Sequence, residues 1–179
     1  MVYVFLAEGF EEAEALTPVD ILRRGGLEVK TVGVGAKTVT GAHSIPVVCD
    51  MSENDVDFSD IEAVVLPGGM PGTINLENSK AVKDTVGFAR KNGKIIGAIC
   101  AAPSILGKMG ILAGKKATCF PGFEKYLTGA VLSNLPAVRD GNIITAVGAG
   151  AAFKFGFCLL AALKGQDVAD RLSVSMKYI

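Results

Sequence analysis

The chain has 179 residues, half of them hydrophobic and a fifth charged, and its 18 basic and 18 acidic side chains leave a formal charge of zero. That balance offers no electrostatic grip on nucleic acid or on an anionic membrane. Four cysteines without a CxxC pair, and a single histidine, His43, exclude a Cys/His zinc cluster. A disulfide framework is not expected in a chain long enough to bury a substantial core.

The first element is the apolar run VYVFLA at 2–7. No basic segment precedes it and it stops within a few residues, so a buried β-strand is expected rather than a secretory signal, and the cytoplasm is the expected compartment. A helical pattern follows over 11–24. Glu8, Glu11, Glu12 and Glu14 crowd its start, where negative charge suits the helix dipole. Glu14 has apolar or small companions on its helix face and is expected to point inward. There its carboxyl holds its proton more tightly and can donate a hydrogen bond to a thiolate or sulfinate.

A second apolar strand is expected at 28–34. The segment AKTVTGAHSIPVVCD at 36–50 breaks the rhythm and reads as a β-ribbon added at an edge, with His43 on a surface loop and Cys49 packed. The third strand, EAVVLP at 62–67, ends on Gly68 and Gly69. These glycines form a tight turn, and their N–H groups are candidates for an oxyanion site together with that of Ala101. A helix is expected over 79–91, then a fourth strand, KIIGAI, at 94–99.

Cys100 follows at once, before a helix expected over 101–109. A side chain on a sharp strand-to-helix turn is pushed out of the sheet, as in a nucleophile elbow. The helix amides and dipole favour a thiolate there, and Pro103 suits the first helical turn. The plainer alternative is a packed core thiol. Downstream, Asp140-Gly141 marks a hairpin over 137–145. A fifth strand at 143–147 precedes helices at 151–163 and 166–175. The apolar stretch AVGAGAAFKFGFCLLAALKG is interrupted by Lys154 and glycines, so no membrane span is expected. Cys158 within it is expected to be buried and inert.

Continuous apolar strands alternating with helices predict one α/β domain over 1–179, a mostly parallel sheet covered on both faces. Ligands in such sheets bind beyond the carboxyl ends of the strands, which here read AEGFEEAE, LPGGMPG, ICAAP and VGAGAA. The GVGAKT and GAGAAF stretches begin like dinucleotide-binding loops but lack the last glycine, and no GxxxxGK[ST] occurs.

Four segments, AEGFEEAEALTPVDILRRGGLEV, VVLPGGMPGTINLENSKAVKD, GKIIGAICAAPSIL and VGAGAAFKFGFCLLAALKG, together resemble the ThiJ/PfpI superfamily, in a bacterial-type member of its DJ-one (Parkinson-disease protein) branch. The resemblance runs nearly end to end. It implies a flavodoxin-like (Rossmann-like) three-layer sandwich, a reactive cysteine at Cys100, a buried glutamate at Glu14 and the family's LPGG turn at Gly68 and Gly69. It implies no cofactor and no metal, a homodimer, and a glyoxalase or deglycase acting on methylglyoxal, glyoxal or their early adducts. Thiol-based oxidative-stress sensing and chaperone-like protection are the alternative, with peptidase, amidase and thiazole (thiamine) biosynthesis roles behind them. Ala101 stands where protease-like branches carry a histidine. Phe120 stands where some relatives have a pocket histidine, so the pocket is expected to be more apolar. GAGA at 148–151, beginning at the pocket residue Gly148, replaces the common GPGT. Neither composition nor motif separates catalysis from oxidation sensing, and the resemblance places both on Cys100 and Glu14.

Overall fold

The computed structural model describes residues 1–178. In chain order the elements are β1 (Val2–Leu6), α1 (Glu12–Arg24), β2 (Val29–Gly33), β3 (Thr38–Thr40), β4 (Pro46–Val48), β5 (Met51–Ser52) and β6 (Ala63–Leu66). They continue with α2 (Gly72–Asn78), α3 (Lys80–Lys91), β7 (Ile95–Ile99), α4 (Pro103–Lys108), β8 (Lys116–Ala117) and β9 (Val131–Leu132). The chain closes with β10 (Ala137–Asp140), β11 (Ile143–Ala146), α5 (Ala152–Lys164) and α6 (Gln166–Ser175).

Seven strands form the main sheet in the order β10-β11-β7-β6-β1-β2-β5. All neighbours are parallel except the β10–β11 hairpin. Side chains of β1 alternate between two cores, as the two-residue period of a strand requires. Val2, Val4 and Leu6 face α1, α5 and α6, whereas Tyr3, Phe5 and Ala7 face α2, α3 and α4. Three layers result, as expected from the apolar strands and the resemblance.

Helix α1 starts on Glu11, whose carboxylate accepts the Glu14 N–H at 2.7 Å, and ends with Arg23 and Arg24 near the carbonyl terminus. Both ends thus complement the helix dipole. Its inner face packs on α5 at Gly156, where a Cβ would lie 2.6 Å from the Ile21 side chain. The 3.6-residue spacing of Ala15, Pro18, Val19 and Leu22 therefore fixes which way Glu14 turns.

Two expectations need adjustment. The 36–50 ribbon forms its own two-stranded sheet, β3 with β4, and does not extend the main sheet; β5 takes that edge by pairing with β2. The helix expected from residue 101 begins at Pro103, because Cys100 to Ala102 form a turn. No helix among the described residues is long and apolar enough to cross a membrane.

Candidate active site

Strand order reverses direction of growth between β1 and β6, with β2 and β5 laid down on one side and β7 and β11 on the other. The carboxyl ends beside such a switch point form a crevice. Three segments meet there: the start of α1 after β1, the Gly68–Gly69 turn after β6, and the Cys100 turn after β7.

Cys100 has φ of 65°, a left-handed conformation that L side chains rarely adopt. Its backbone is held on both sides: the Cys100 N–H donates to Ala146 O at 2.9 Å, and the Phe120 N–H donates to Cys100 O at 2.8 Å. Neighbours on two strands or loops therefore over-determine the turn and keep the half-buried thiol aimed out of the sheet.

Glu14 is 1% exposed. Its Oε2 accepts the Gly68 N–H at 2.9 Å, its carboxyl also accepts from the Ala149 N–H, and it is hydrogen-bonded to the Cys100 sulfur. Burial is the largest influence on its acidity and raises its pKa to about 7, with the charge of Glu11 adding to the rise. The inward orientation expected from its helix face is the one observed.

Gly68 brings the two functional groups together. A Cβ on it would lie 2.6 Å from the Cys100 Cβ and 2.6 Å from Glu14 Oε2, so only a glycine fits between them. Gly69, at φ of 89°, turns its N–H to the Cys100 sulfur, as does Ala101.

The expectation of an acidic thiol is not met. Those two N–H groups do favour the thiolate, yet burial, followed by the ionised Glu14, outweighs them and pushes Cys100 up to about 12. The Glu14 contribution applies only while Glu14 is ionised. When Glu14 carries the proton it donates to sulfur, and the two groups behave as one pair sharing a proton. Amides seen from sequence position were a real influence; desolvation by the same packed turn was the larger one.

Phe120 and Gly148, with Pro121, Pro136, Val147 and Ala149, line an open, largely apolar groove of about 440 Å³ whose lining does not include Cys100 or Glu14. A Cβ on Gly148 would lie 3.3 Å from Phe120 Cδ2 and 3.8 Å from Glu14 Oε1, which sets the groove against the carboxyl. Gly68, Gly69, Ala101, Phe120 and Gly148 are thus gathered around Glu14 and Cys100.

His43 is not beside the sulfur. It sits on the β3–β4 turn with its side chain 68% exposed, its Nδ1 2.8 Å from Glu12 Oε2 and 3.9 Å from Glu11 Oε1. The sulfur's own partners are Glu14 and the amides of Gly69 and Ala101. A Cys–His dyad of the peptidase kind is therefore not formed among the described residues. Cys49 and Cys119 are buried and Cys158 is half-buried; burial raises the pKa of all three. Sequence reasoning missed the Ala149 N–H and the Glu11–Glu12–His43 cluster, whose ligand-type atoms lie within 4.8 Å of one another. Their separation along the chain hides both.

The DJ-1/PfpI family model matches residues 1–162. Protein DJ-1 homolog A of Arabidopsis thaliana is 36% identical over 176 residues, 96% of this chain but 45% of that protein, so the chain spans about half of that relative's length. A Caenorhabditis elegans protein named as a glutathione-independent glyoxalase is 31% identical over 167 residues, 92% of this chain and 89% of that protein. Among solved structures, a cysteine-to-alanine mutant of a DJ-1 superfamily protein from Salmonella typhimurium superposes with a TM-score of 0.93 at 36% identity, covering 99% of this chain and 98% of that one.

Proposed function

The chain belongs to the DJ-1/PfpI family, and from that premise we propose that it is a cofactor-independent glyoxalase or deglycase acting on methylglyoxal, glyoxal or their early adducts. The hydrogen-bonded pair of Glu14 and Cys100 carries this reading. The name of the C. elegans relative is consistent with it.

In the proposed reaction the Cys100 sulfur adds to the aldehyde carbon as its proton passes to the new oxygen, giving a hemithioacetal. Glu14, as carboxylate, removes the proton from that carbon and returns it to the adjacent carbonyl carbon, while the hydroxyl proton passes to the adjacent oxygen, leaving a 2-hydroxy thioester. Water then releases a 2-hydroxy acid and restores the thiol. A carboxyl near pKa 7 serves both as proton acceptor and as donor at neutral pH. The Gly69 and Ala101 N–H groups hold the sulfur at rest. Once sulfur is bonded to carbon they are free for the oxygen on which negative charge develops in the later steps, and one such donor is worth about 3 kcal/mol in the barrier.

The alternative is an oxidation sensor. Two equivalents of peroxide convert the thiol to a sulfinate with release of two waters, and a protonated Glu14 with the two amides suits that anion. The partial exposure of Cys100 favours this reading as well as the first. Methylglyoxal consumption by the purified protein, without added thiol and compared with Cys100→Ser, tests the first reading. Turnover that depends on Cys100 supports it; equal rates in the two proteins reject it, and intact mass after peroxide then decides whether Cys100 is oxidised.

A further inference from the structure

We propose that His43 is a positioning residue for this site: held by Glu12 and facing Glu11, it supplies the positive charge that offsets Glu11 beside Glu14. The proposal rests on Glu14 and Cys100 being the reacting pair, but its test reads thiol reactivity rather than turnover.

The geometry is a chain of carboxylates with one imidazole at its outer end. Glu12 grips His43 twice, accepting the backbone N–H on Oε1 at 2.8 Å and facing Nδ1 with Oε2 at 2.8 Å. Glu11 lies between His43 and Glu14, with Oε1 3.9 Å from Nδ1 and Oε2 accepting the Glu14 N–H at 2.7 Å. The loop that carries His43 is fixed against the helix. The Ala42 N–H donates to Phe10 O at 2.7 Å, and a Cβ on Gly41 would collide with the Glu12 carboxylate. The ring is therefore held within reach of Glu11.

Among the described residues, the groups that bear directly on the pair include no cation. From α1, Glu11 bears on Glu14; from the turn after β7, Cys100 does; the turn after β6 contributes the Gly68 amide. Helix α5 packs on α1 through Gly156 and apolar side chains, and its Lys154 bears on Cys158. On the ribbon side, Glu8 is engaged by the Thr40 N–H. Both Glu12 oxygens and one Glu11 oxygen are already committed within the chain, so the cluster reads as a charge relay rather than an ion site. The shifts agree in direction: His43 is raised by Glu12, and Glu11 helps raise Glu14.

Removing the His43 charge leaves Glu11 unopposed, so Glu14 and Cys100 keep their protons to higher pH. The test is the pH profile of Cys100 alkylation by iodoacetamide at low ionic strength, read by peptide mass, with melting curves as a check on folding. His43→Gln is expected to move the inflection near neutrality upward by about 0.3 to 0.5 pH unit, an effect that salt screens. His43→Lys is expected to restore it. The shift is expected to shrink in a Glu11→Gln background. An unchanged inflection in folded His43→Gln, or an equal shift without Glu11, overturns the proposal. A wild-type profile with no inflection near neutrality overturns it together with the pairing of Glu14 and Cys100.

Discussion

Glu14 and Cys100 are hydrogen-bonded to each other across the Gly68 turn, the carboxyl on α1 and the thiol on the turn after β7. Neither group is in its ordinary titration range: burial raises Glu14 to about 7 and Cys100 to about 12. The proton between them is the feature from which the following predictions descend.

Glu14→Gln keeps the shape and the contact with the Gly68 N–H but cannot exchange a proton. Turnover of methylglyoxal is expected to fall by about 10²- to 10⁴-fold, the usual range for a lost acid–base group. The neutral inflection in Cys100 alkylation is expected to vanish with it. Steady-state rates and iodoacetamide profiles on the same preparations check both.

Stability carries the same signature. Glu14 is raised in the folded protein from an ordinary value of 4.5 to about 7. Its contribution is therefore fully present below about pH 4.5 and is lost as pH rises through 7, by up to about 3 kcal/mol. Urea unfolding of the wild type is expected to show this fall between those limits, and Glu14→Gln to lack it. Parallel curves for the two proteins would contradict the assignment.

Gly68→Ala places a methyl 2.6 Å from both the Cys100 Cβ and Glu14 Oε2. Relief requires backbone movement of the turn, at about 1 to 3 kcal/mol. Loss of activity larger than the drop in melting temperature explains is expected, since the same methyl parts the pair. A thermal melt alongside initial rates separates the two effects.

Phe120→His places an imidazole in an otherwise apolar groove that runs up to Glu14 at Gly148. Phe120 is 47% exposed, so stability is expected to stay within about 0.5 kcal/mol. The pH–rate profile is expected to gain an inflection near the ordinary histidine value of about 6.5. A profile superimposable on the wild type would place Phe120 outside the path of the substrate.

Much of this is legible in the sequence itself. Runs such as VYVFLA and KIIGAI are apolar on both faces, so buried parallel strands followed, and the carboxyl ends pointed to the loops that meet at Cys100. The inward turn of Glu14 followed from its companions on α1. Strands of two residues, β5, β8 and β9, carry no periodicity to read. The Ala149 amide and the grip of Glu12 on His43 depend on tertiary placement, and no local pattern announces them. Thiol acidity failed for a different reason: position in the chain shows the amides that favour a thiolate but not the desolvation that opposes them.

The most direct test of the central claim is lactate formation from methylglyoxal by the purified protein without glutathione, set against Cys100→Ser and Glu14→Gln. Catalytic lactate from the wild type and loss of it in both variants is the predicted result. Lactate formed at the wild-type rate by Cys100→Ser would contradict it.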